Sequence, residues 1–298
     1  MVRRKASGTV VRNAPTALAV VALLAAAAGC APADENATTG ASASASAGTR
    51  CTKDALATRV PGTLTVGTDN PAYEPWFSDN RPENREGFES AVAYAVAERL
   101  GYAPGDVAWT RVTFNNAIAP GPKAYDVDLN QFSITDERRS AVDFSSPYYL
   151  VRQTVIALKT SPIAGATTIA ALRGATLGAQ VGTTSYQAIT DVIRPTGRPQ
   201  VFNSNDDAKK ALQNGQLDGL VVDLPTAFYM TSAELDGAVI VGQLPQVGVP
   251  EQFGIVLDKG SPLTTCVTGA VDQLRVDGTL AGLEKQWLAG ASGARELS

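Results

Sequence analysis

One continuous stretch of the chain, residues 124–149 (AYDVDLNQFSITDERRSAVDFSSPYY), restricts the possible folds most strongly. Residues 125–134 have the composition of a buried strand, and the charged cluster 136–139 follows directly. A strand end that carries hydroxyl groups and a guanidinium suits a ligand-binding site, because the planar arginine fork can donate two parallel hydrogen bonds to a carboxylate. Arg138 is the candidate for that fork, and a solvated charged turn is the alternative.

Short apolar strands and amphipathic helices alternate along the remainder of the chain. Residues 64–68 have the composition of a strand, whereas apolar residues recur at helical spacing over residues 87–100 and Gly101 follows as a stop signal. This alternation predicts an α/β fold with ligands at the C-terminal ends of strands, and about 240 ordered residues allow two lobes.

The residue types that most metal sites and acid–base catalysts need are missing from the sequence. There is no histidine, and no cluster of cysteines or carboxylates replaces it. The phosphate-binding P-loop, the glycine-rich dinucleotide fingerprint and the G-x-S-x-G motif are also absent. We therefore expect no metal, no cofactor and no enzymatic activity.

The N-terminal residues have the layout of a secretory signal. Four cations precede an uncharged apolar run that is too short to span a bilayer comfortably, and this run ends at a cysteine. The sequence Ala27-Ala28-Gly29-Cys30 resembles a lipoprotein processing box, which predicts a signal peptide over residues 1–29 and a lipid on Cys30. Signal cleavage without lipidation is the alternative.

A segment of low complexity follows the predicted signal peptide. Residues 30–50 are rich in Ala, Ser, Thr and Gly, and this composition cannot bury enough apolar surface to offset the entropy of ordering. We therefore predict a lipid anchor and a flexible linker over residues 30–50. The protein would be exported and would lie at the outer face of the cell membrane, held by its lipid.

The charge of the chain limits its partners. The sequence has 25 basic and 29 acidic residues, and removal of the four cations before Cys30 would leave 21 basic residues and a formal charge of −8. Nucleic acid and anionic lipid surfaces both attract basic proteins. We therefore expect no nucleic-acid partner, and a membrane contact only through the lipid anchor.

A set of short motifs extends over nearly all of residues 60–289. They are LTVGTD (64–69), EGFE (86–89), SITDER (133–138), VDFSSPYY (142–149), AQVGTT (179–184), LDGLVVD (217–223), FGIV (253–256) and DGTL (277–280). In composition and in order, the set resembles the bacterial extracellular solute-binding proteins of the polar amino-acid class, which are the receptors of ABC importers.

The resemblance implies a two-lobed α/β fold like that of type II periplasmic binding proteins. Each lobe would have a central sheet flanked by helices, and two crossing segments would form the hinge. Residues 51–152 would form the first part of lobe 1 and residues 153–245 would form lobe 2. Residues 246–298 would return to lobe 1 and supply its C-terminal helices.

The resemblance also implies a function. The protein would be the substrate-binding lipoprotein of an ABC transporter, which captures a polar amino acid between its lobes and delivers it to the permease subunits. It would act as a monomer. One alternative is a sensor lipoprotein that presents an amino acid to a signalling partner. Another is a dehydratase-type enzyme, since some relatives have that activity and Glu74 and Glu89 fall near the expected cleft.

The resemblance further assigns the residues that would bind the charged groups of an amino acid. The ligand carboxylate would contact Arg138, Gly182, Thr183 and Thr184, and the ammonium group would contact Asp223, Ser133 and Gln131. The chemistry is consistent with this assignment, because a zwitterion withdrawn from water needs a partner for each charge. An ordinary helix cap is the alternative for the turn at Gly182 and for Asp223.

The residues that would surround the ligand side chain are Tyr73, Phe114, Asp69, Glu74, Asn130 and Ser185. In the family, Tyr73 and Phe114 would match aromatic walls that hold the aliphatic part of the ligand. Asp69 and Glu74 would favour a cationic tip, whereas Asn130 and Gln131 would favour an amide or another polar tip. Gln131 also stands where the family often has glycine or serine, which predicts a smaller or differently shaped pocket.

Cysteine parity predicts a disulfide. If Cys30 carries a lipid, Cys51 and Cys266 remain as an even pair in an oxidising compartment, where a disulfide is favoured. The bond would tie the start of the folded body to its C-terminal region. Two separate buried thiols are the alternative.

Overall fold

The computed structural model describes residues 51–246, 248–291 and 293–298. The predicted signal peptide (1–29), the predicted lipidation site Cys30 and the predicted linker lie outside the described residues. Among the residues that are described, no helix combines the length and the apolar character that crossing a bilayer requires.

Strands and helices alternate along the described chain. The strands are β1 (Leu64–Thr68), β2 (Val107–Arg111), β3 (Val127–Asp128), β4 (Val142–Leu150), β5 (Gln153–Leu158), β6 (Leu177–Gln180), β7 (Gln200–Phe202), β8 (Gly219–Asp223), β9 (Ala238–Gln243) and β10 (Gln252–Asp258). The α-helices are α1 (Phe88–Arg99), α2 (Phe114–Ile118), α3 (Asp136–Arg139), α4 (Thr184–Ala188), α5 (Asn205–Gln213), α6 (Leu224–Tyr229), α7 (Thr264–Val276) and α8 (Thr279–Trp287). Turns of π-helix follow α4 at Ile189–Ile193 and α6 at Met230–Glu234.

The strands form two mixed sheets of five strands each. The first has the order β2-β1-β3-β10-β4 and the second has the order β7-β6-β8-β5-β9. In the first sheet β1 pairs in parallel with β2 and β3, and in the second β6 pairs in parallel with β7 and β8. The predicted two-lobed α/β fold is confirmed. We call the parts built on the first and second sheets lobe 1 and lobe 2.

The chain passes between the lobes through two adjacent segments. Val151 and Arg152 lead from β4 in lobe 1 to β5 in lobe 2, and the segment that contains residues 244–246 and 248–251 leads back from β9 to β10. The two segments lie side by side, because the Val151 amide donates a hydrogen bond of 3.0 Å to the Glu251 carbonyl. The chain therefore crosses between the lobes at two neighbouring places.

Apolar strand residues explain why each sheet is covered on both faces. In β5 the consecutive residues Val155, Ile156 and Ala157 are all buried. Val155 and Ala157 join one hydrophobic cluster, whereas Ile156 joins another on the opposite face. A continuous apolar strand is therefore stabilised by helices packed on both sides of its sheet.

The predicted disulfide between Cys51 and Cys266 is confirmed. Cys266 is buried on α7, and Cys51 precedes the first strand and packs against the same core of lobe 1. The bond therefore fastens the beginning of the described chain to a helix 215 residues further along the sequence.

The last residues of the chain pack on lobe 2, which differs from the prediction that all of residues 246–298 belong to lobe 1. Glu296 forms a parallel bridge with Gln243 at the edge of β9, and the buried Leu297 joins the lobe 2 core. Gly242 makes this approach possible, since a Cβ at that position would lie 2.7 Å from Leu297 Cδ2. An edge strand with free backbone groups provides the physical reason for the difference.

Candidate functional site

A cavity of about 40 Å³ lies between the two lobes. Four of its lining residues, Asp69, Asn130, Gln180 and Asp223, lie at or just beyond the C-terminal ends of β1, β3, β6 and β8. These strands pair in parallel within their sheets, so the polar residues that follow them collect at one edge of each lobe. The site is therefore built at the place where an α/β fold usually binds its ligand.

Most of the predicted site residues line this cavity. Lobe 1 contributes Asp69, Tyr73, Phe114, Asn130, Gln131 and Arg138, and lobe 2 contributes Thr183, Thr184, Ser185 and Asp223. Ser133 and Gly182 lie immediately behind this lining, where Ser133 Oγ is 3.1 Å from Thr184 Oγ and the Gly182 carbonyl accepts from Arg138. Glu74 is the exception among the predicted residues.

Arg138 is a buried cation at the boundary between the lobes. Its side chain donates from Nη1 to the Ser133 carbonyl at 2.7 Å and from Nη2 to the Gly182 carbonyl of lobe 2 at 3.0 Å. Only 8% of Arg138 is exposed, so the alternative of a solvated charged turn is wrong for this residue. Burial lowers the pKa of Arg138 to about 10, which still leaves the guanidinium charged at neutral pH.

Aromatic rings support the guanidinium. The carbon at the centre of the Arg138 guanidinium lies 5.3 Å from the centroid of the Phe114 ring, and Phe114 stacks on Phe132 at 4.9 Å. A cation over an aromatic face is attracted by the ring quadrupole, and more strongly where water is excluded. The Phe114 amide also donates to Asp69 Oδ2 at 3.0 Å, which joins the first loop of the site to this aromatic floor.

Glu74 does not line the cavity. Its carboxylate accepts hydrogen bonds from Ser78 Oγ at 3.4 Å and from the Asp79 amide at 3.1 Å, so donors four and five residues further along the chain satisfy it. The prediction that Glu74 contacts the ligand side chain is therefore not supported by the geometry. Asp69 alone of the two predicted acids reaches the cavity.

Asp223 is both a helix cap and a cavity residue. Its Oδ1 accepts from the Thr226 amide at 3.0 Å and its Oδ2 accepts from Thr226 Oγ at 2.9 Å, so it is the N-cap of α6. A carboxylate has about four lone-pair sites, and the cap occupies two of them. Burial raises the pKa of Asp223 to about 6. The cap account is correct, and it leaves acceptor sites for a ligand.

The hydroxyl of Thr226 connects the Asp223 carboxylate to lobe 1 through hydrogen bonds. Thr226 Oγ accepts from Trp76 Nε1 at 3.0 Å while it donates to Asp223. Trp76 is fully buried and packs against Phe253 in the lobe 1 core. A continuous chain of hydrogen bonds thus joins the lobes behind the cavity.

Thr226→Val is expected to lower the free energy of unfolding by about 1–3 kcal/mol, because it leaves the buried Trp76 indole N–H without its acceptor. Thr226→Ser keeps the hydroxyl and should behave like the parent protein. Urea denaturation followed by fluorescence measures both variants. Equal stability of the valine variant and the parent would show that this bond between the lobes contributes nothing.

The turn after β6 is held by its own side chains. Thr183 is the N-cap of α4, where its Oγ accepts from the Tyr186 amide at 3.2 Å and donates to the Gln180 carbonyl at 2.7 Å. Gly182 has a φ of 76°, a conformation that residues with a Cβ rarely adopt. The helix-cap alternative is therefore correct for Thr183, whose hydroxyl is committed to the backbone.

Gln131 is fixed by a buried acid beneath it. Its backbone N–H donates to Glu89 Oε1 at 2.7 Å, and its side-chain Nε2 donates to Glu89 Oε2. The Tyr148 hydroxyl donates to the same carboxylate. Burial raises the pKa of Glu89 to about 7. These bonds hold Gln131 at a φ of 51°, which accounts for a residue with a side chain where the family often has glycine.

Several cavity residues were not predicted from the sequence. They are Gln153, Gln180, Asn205, Val222 and Phe253, together with Glu251, which contacts the cavity residues Thr184 and Gln153. Gln153 and Gln180 are 8% and 7% exposed and stand at the ends of otherwise apolar strands. A buried amide at a strand end needs partners, and this pattern was the available signal.

The described residues contain no group of three or more His, Cys, Asp or Glu side chains that could hold a metal ion. The chemistry of the cavity is instead that of one buried cation, Arg138, facing the carboxylates Asp69 and Asp223 across amides and hydroxyls. Such an arrangement can bind a small molecule that carries both charges.

Known proteins are similar to this chain in both sequence and fold. The family model for "bacterial extracellular solute-binding proteins, family 3" matches residues 64–290. The arginine-binding extracellular protein ArtP of Bacillus subtilis (strain 168) is 26% identical over 232 residues, which cover 76% of this chain and 86% of ArtP. Its name is that of a binding protein.

Solved structures agree with this match. An ancestral arginine-binding protein bound to glutamine is 30% identical with a TM-score of 0.64, and the match covers 76% of this chain and 98% of that protein. The ancestral amino acid-binding protein AncCDT-1, a precursor of cyclohexadienyl dehydratase, is 31% identical with a TM-score of 0.62, and the match covers 76% and 95%. The family match includes every strand of both lobes. The chain therefore belongs to the family 3 bacterial extracellular solute-binding proteins.

Proposed function

We propose that the protein binds a polar amino acid in the cleft between its lobes and delivers it to the permease subunits of an ABC transporter. One observation carries this proposal: a cation from lobe 1, Arg138, and a carboxylate from lobe 2, Asp223, line the same cavity. The carboxylate of a bound amino acid would pair with Arg138 and its ammonium group with Asp223, so closure of the lobes would satisfy both charges at once.

The walls of the cavity support a polar ligand side chain. Asp69 and Asn130 offer acceptors for a cationic or amide tip, and the rings of Tyr73 and Phe114 offer flat apolar faces for an aliphatic stem. Curated relatives are named for the binding of arginine, histidine, cystine and glutamine. We therefore propose an amino acid with a basic or amide side chain.

The cellular setting of this function follows from the family and from the sequence before the described residues. Membership in an extracellular family implies an exported protein. We further propose that a lipid on Cys30 anchors the protein at the outer face of the membrane, because Ala27-Ala28-Gly29-Cys30 resembles a processing box. Intact-mass analysis of the protein from membranes would detect the lipid.

The geometry gives the enzymatic alternative little support. Glu89 was one of two candidate acids for it, but Glu89 is fully buried beneath Gln131 and accepts hydrogen bonds from two residues. Glu74, the other candidate, hydrogen-bonds Ser78 and Asp79 outside the cavity. A general acid must reach the reacting atoms, and neither carboxyl group lines the cavity.

A ligand screen tests the proposed function. Each of the twenty amino acids and cystine is added to the protein, and the shift in melting temperature is recorded, since a ligand that binds only the folded state raises it. A basic or amide amino acid should give the largest shift. If no amino acid raised the melting temperature, the proposed function would be wrong.

Amino-acid affinity is expected to fall as the pH drops below about 6. Burial raises the pKa of Asp223 to about 6, and only the ionised carboxylate can pair with an ammonium group, so protons compete with the ligand. Affinity should be constant well above pH 6 and should weaken about tenfold for each pH unit below it. Calorimetry from pH 5 to pH 8 measures this, with Asp223→Asn as the control that should bind weakly at every pH. A flat profile for the parent would contradict the assignment.

A further inference from the structure

Glu251 is the last residue of the segment that leads back from β9 to β10, and its carboxylate lies between the lobes. Its Oε1 accepts from Ser133 Oγ of lobe 1 at 2.6 Å and from Thr184 Oγ of lobe 2 at 2.6 Å. Gln153 Nε2 donates to both carboxylate oxygens at 3.1 Å. Glu251 thus contacts two residues that were assigned to opposite ends of the ligand, Ser133 to the ammonium group and Thr184 to the carboxylate.

These bonds fix the direction in which each hydroxyl donates. A carboxylate can only accept, and a hydroxyl has one hydrogen to donate. The hydrogens of Ser133 and Thr184 must therefore both point at Glu251. The Ser133 and Thr184 hydroxyl oxygens lie 3.1 Å apart. No hydrogen lies between them, because each hydroxyl donates its one hydrogen to Glu251. Both hydroxyls can therefore only accept hydrogen bonds from a ligand, through their oxygen lone pairs.

The same reasoning extends to the next pair of side chains. Because Gln153 Nε2 donates to Glu251, its Oε1 is the atom that accepts from Ser185 Oγ at 2.7 Å. The hydrogen of Ser185 is committed as well. Thr184, Ser185 and Asp223 all line the cavity, so this side of it presents acceptors in place of side-chain donors. A wall of acceptors attracts an ammonium group and repels a carboxylate.

We propose that Glu251 is a positioning residue that orients the ligand: by taking the hydrogens of Ser133 and Thr184, it turns both hydroxyls into acceptors and so directs the ammonium group to the side of the cavity nearest the crossings. The inference rests on the proposed function. It also changes one assignment, because the hydroxyl of Thr184 then serves the ammonium group, and only its backbone N–H remains suited to a carboxylate.

The test uses ligands that differ in one charged group. L-Arginine and L-glutamine are each compared with their α-hydroxy acids, which keep the carboxylate and replace the ammonium group with a hydroxyl. A dissociation constant is measured by calorimetry for each ligand, and the ratio of the hydroxy-acid value to the amino-acid value reports the preference for ammonium. A variant that merely disturbs the hinge would weaken both ligands equally and leave this ratio unchanged.

Glu251→Ala frees both hydroxyls to donate, so the ratio is expected to fall at least about tenfold, mainly through weaker amino-acid binding. Gln246→Ala is the matched control, because Gln246 belongs to the same crossing and hydrogen-bonds Arg152 on the outside. Its ratio should equal that of the parent. The melting temperature of each variant shows whether it is folded.

Thr184→Val gives an independent test if Glu251→Ala does not fold. Under the inference it weakens the amino acid and spares the hydroxy acid, whereas a hydroxyl that serves the carboxylate would weaken both alike. An unchanged ratio in the folded variants would overturn the inference while the proposed function stands. If neither L-arginine nor L-glutamine binds the parent, the basic or amide specificity fails, and the inference about Glu251 fails with it.

Discussion

Arg138→Ala and Asp223→Ala are each expected to weaken amino-acid binding at least thirtyfold, on the order of 2 to 5 kcal/mol, because either truncation leaves the opposite charge of the ligand buried and unpaired. Arg138 contributes the cation from lobe 1, and Asp223 contributes the carboxylate from lobe 2. Calorimetric titration with the amino acid that stabilises the parent most measures the loss for each variant.

Two further substitutions serve as controls for the alanine variants. Asp223→Asn removes the charge but keeps an oxygen that can cap α6, so it should lose affinity like the alanine variant while retaining more stability. Arg139→Ala is the control for Arg138, since Arg139 is exposed and lies over the Phe144 ring away from the cavity. Binding within about threefold of the parent by either alanine variant would refute the assignment of that residue.

Arg138→Ala should also cost stability. The Arg138 guanidinium is buried and donates hydrogen bonds to the carbonyls of Ser133 and Gly182. Loss of the side chain leaves both carbonyls without this donor. The melting temperature of the variant must therefore be reported beside its affinity.

Replacement of both Cys51 and Cys266 by alanine is expected to lower the free energy of unfolding by about 5 kcal/mol in the chain-entropy account of disulfides. The bond joins residues 215 positions apart, so the unfolded chain gains much freedom when it is removed. Urea denaturation of the oxidised parent and of the double variant measures the difference.

Reduction of the parent protein provides the control for the disulfide variant. The reduced parent and the double alanine variant should unfold at similar urea concentrations, because both lack the cross-link while their cores differ only at buried Cys266 and partly buried Cys51. A loss below about 1 kcal/mol would show that the cross-link constrains the unfolded chain far less than its length suggests.

Local patterns in the sequence were sufficient to predict much of this structure. The apolar periodicity over residues 87–100 predicted α1 because helical burial is a local property. The motif SITDER placed Arg138 at the end of a buried stretch, and cysteine parity predicted the disulfide. Each of these predictions depended on residues that are close in the sequence or on the two cysteines that remain once Cys30 is set aside.

The features that were missed depend on contacts between distant segments. Glu251 meets Ser133, 118 residues away, because Ser133 forms an antiparallel bridge with Phe253 at the start of β10, just after Glu251. Leu297 reaches the lobe 2 core by pairing with the edge of β9, which no local pattern around it announces. Glu74 failed for the opposite reason, because donors a few residues further along the chain took the carboxylate that had been assigned to the ligand.

The most direct test of zwitterion recognition is calorimetric titration with one amino acid and its two blocked forms. The amino acid that gives the largest shift in melting temperature is compared with its N-acetyl derivative, which lacks the ammonium group, and its carboxamide, which lacks the carboxylate. Arg138 and Asp223 at one cavity predict binding of one free amino acid per protein and a large loss of affinity for both blocked forms. Binding of either blocked form as tightly as the free amino acid would contradict this recognition.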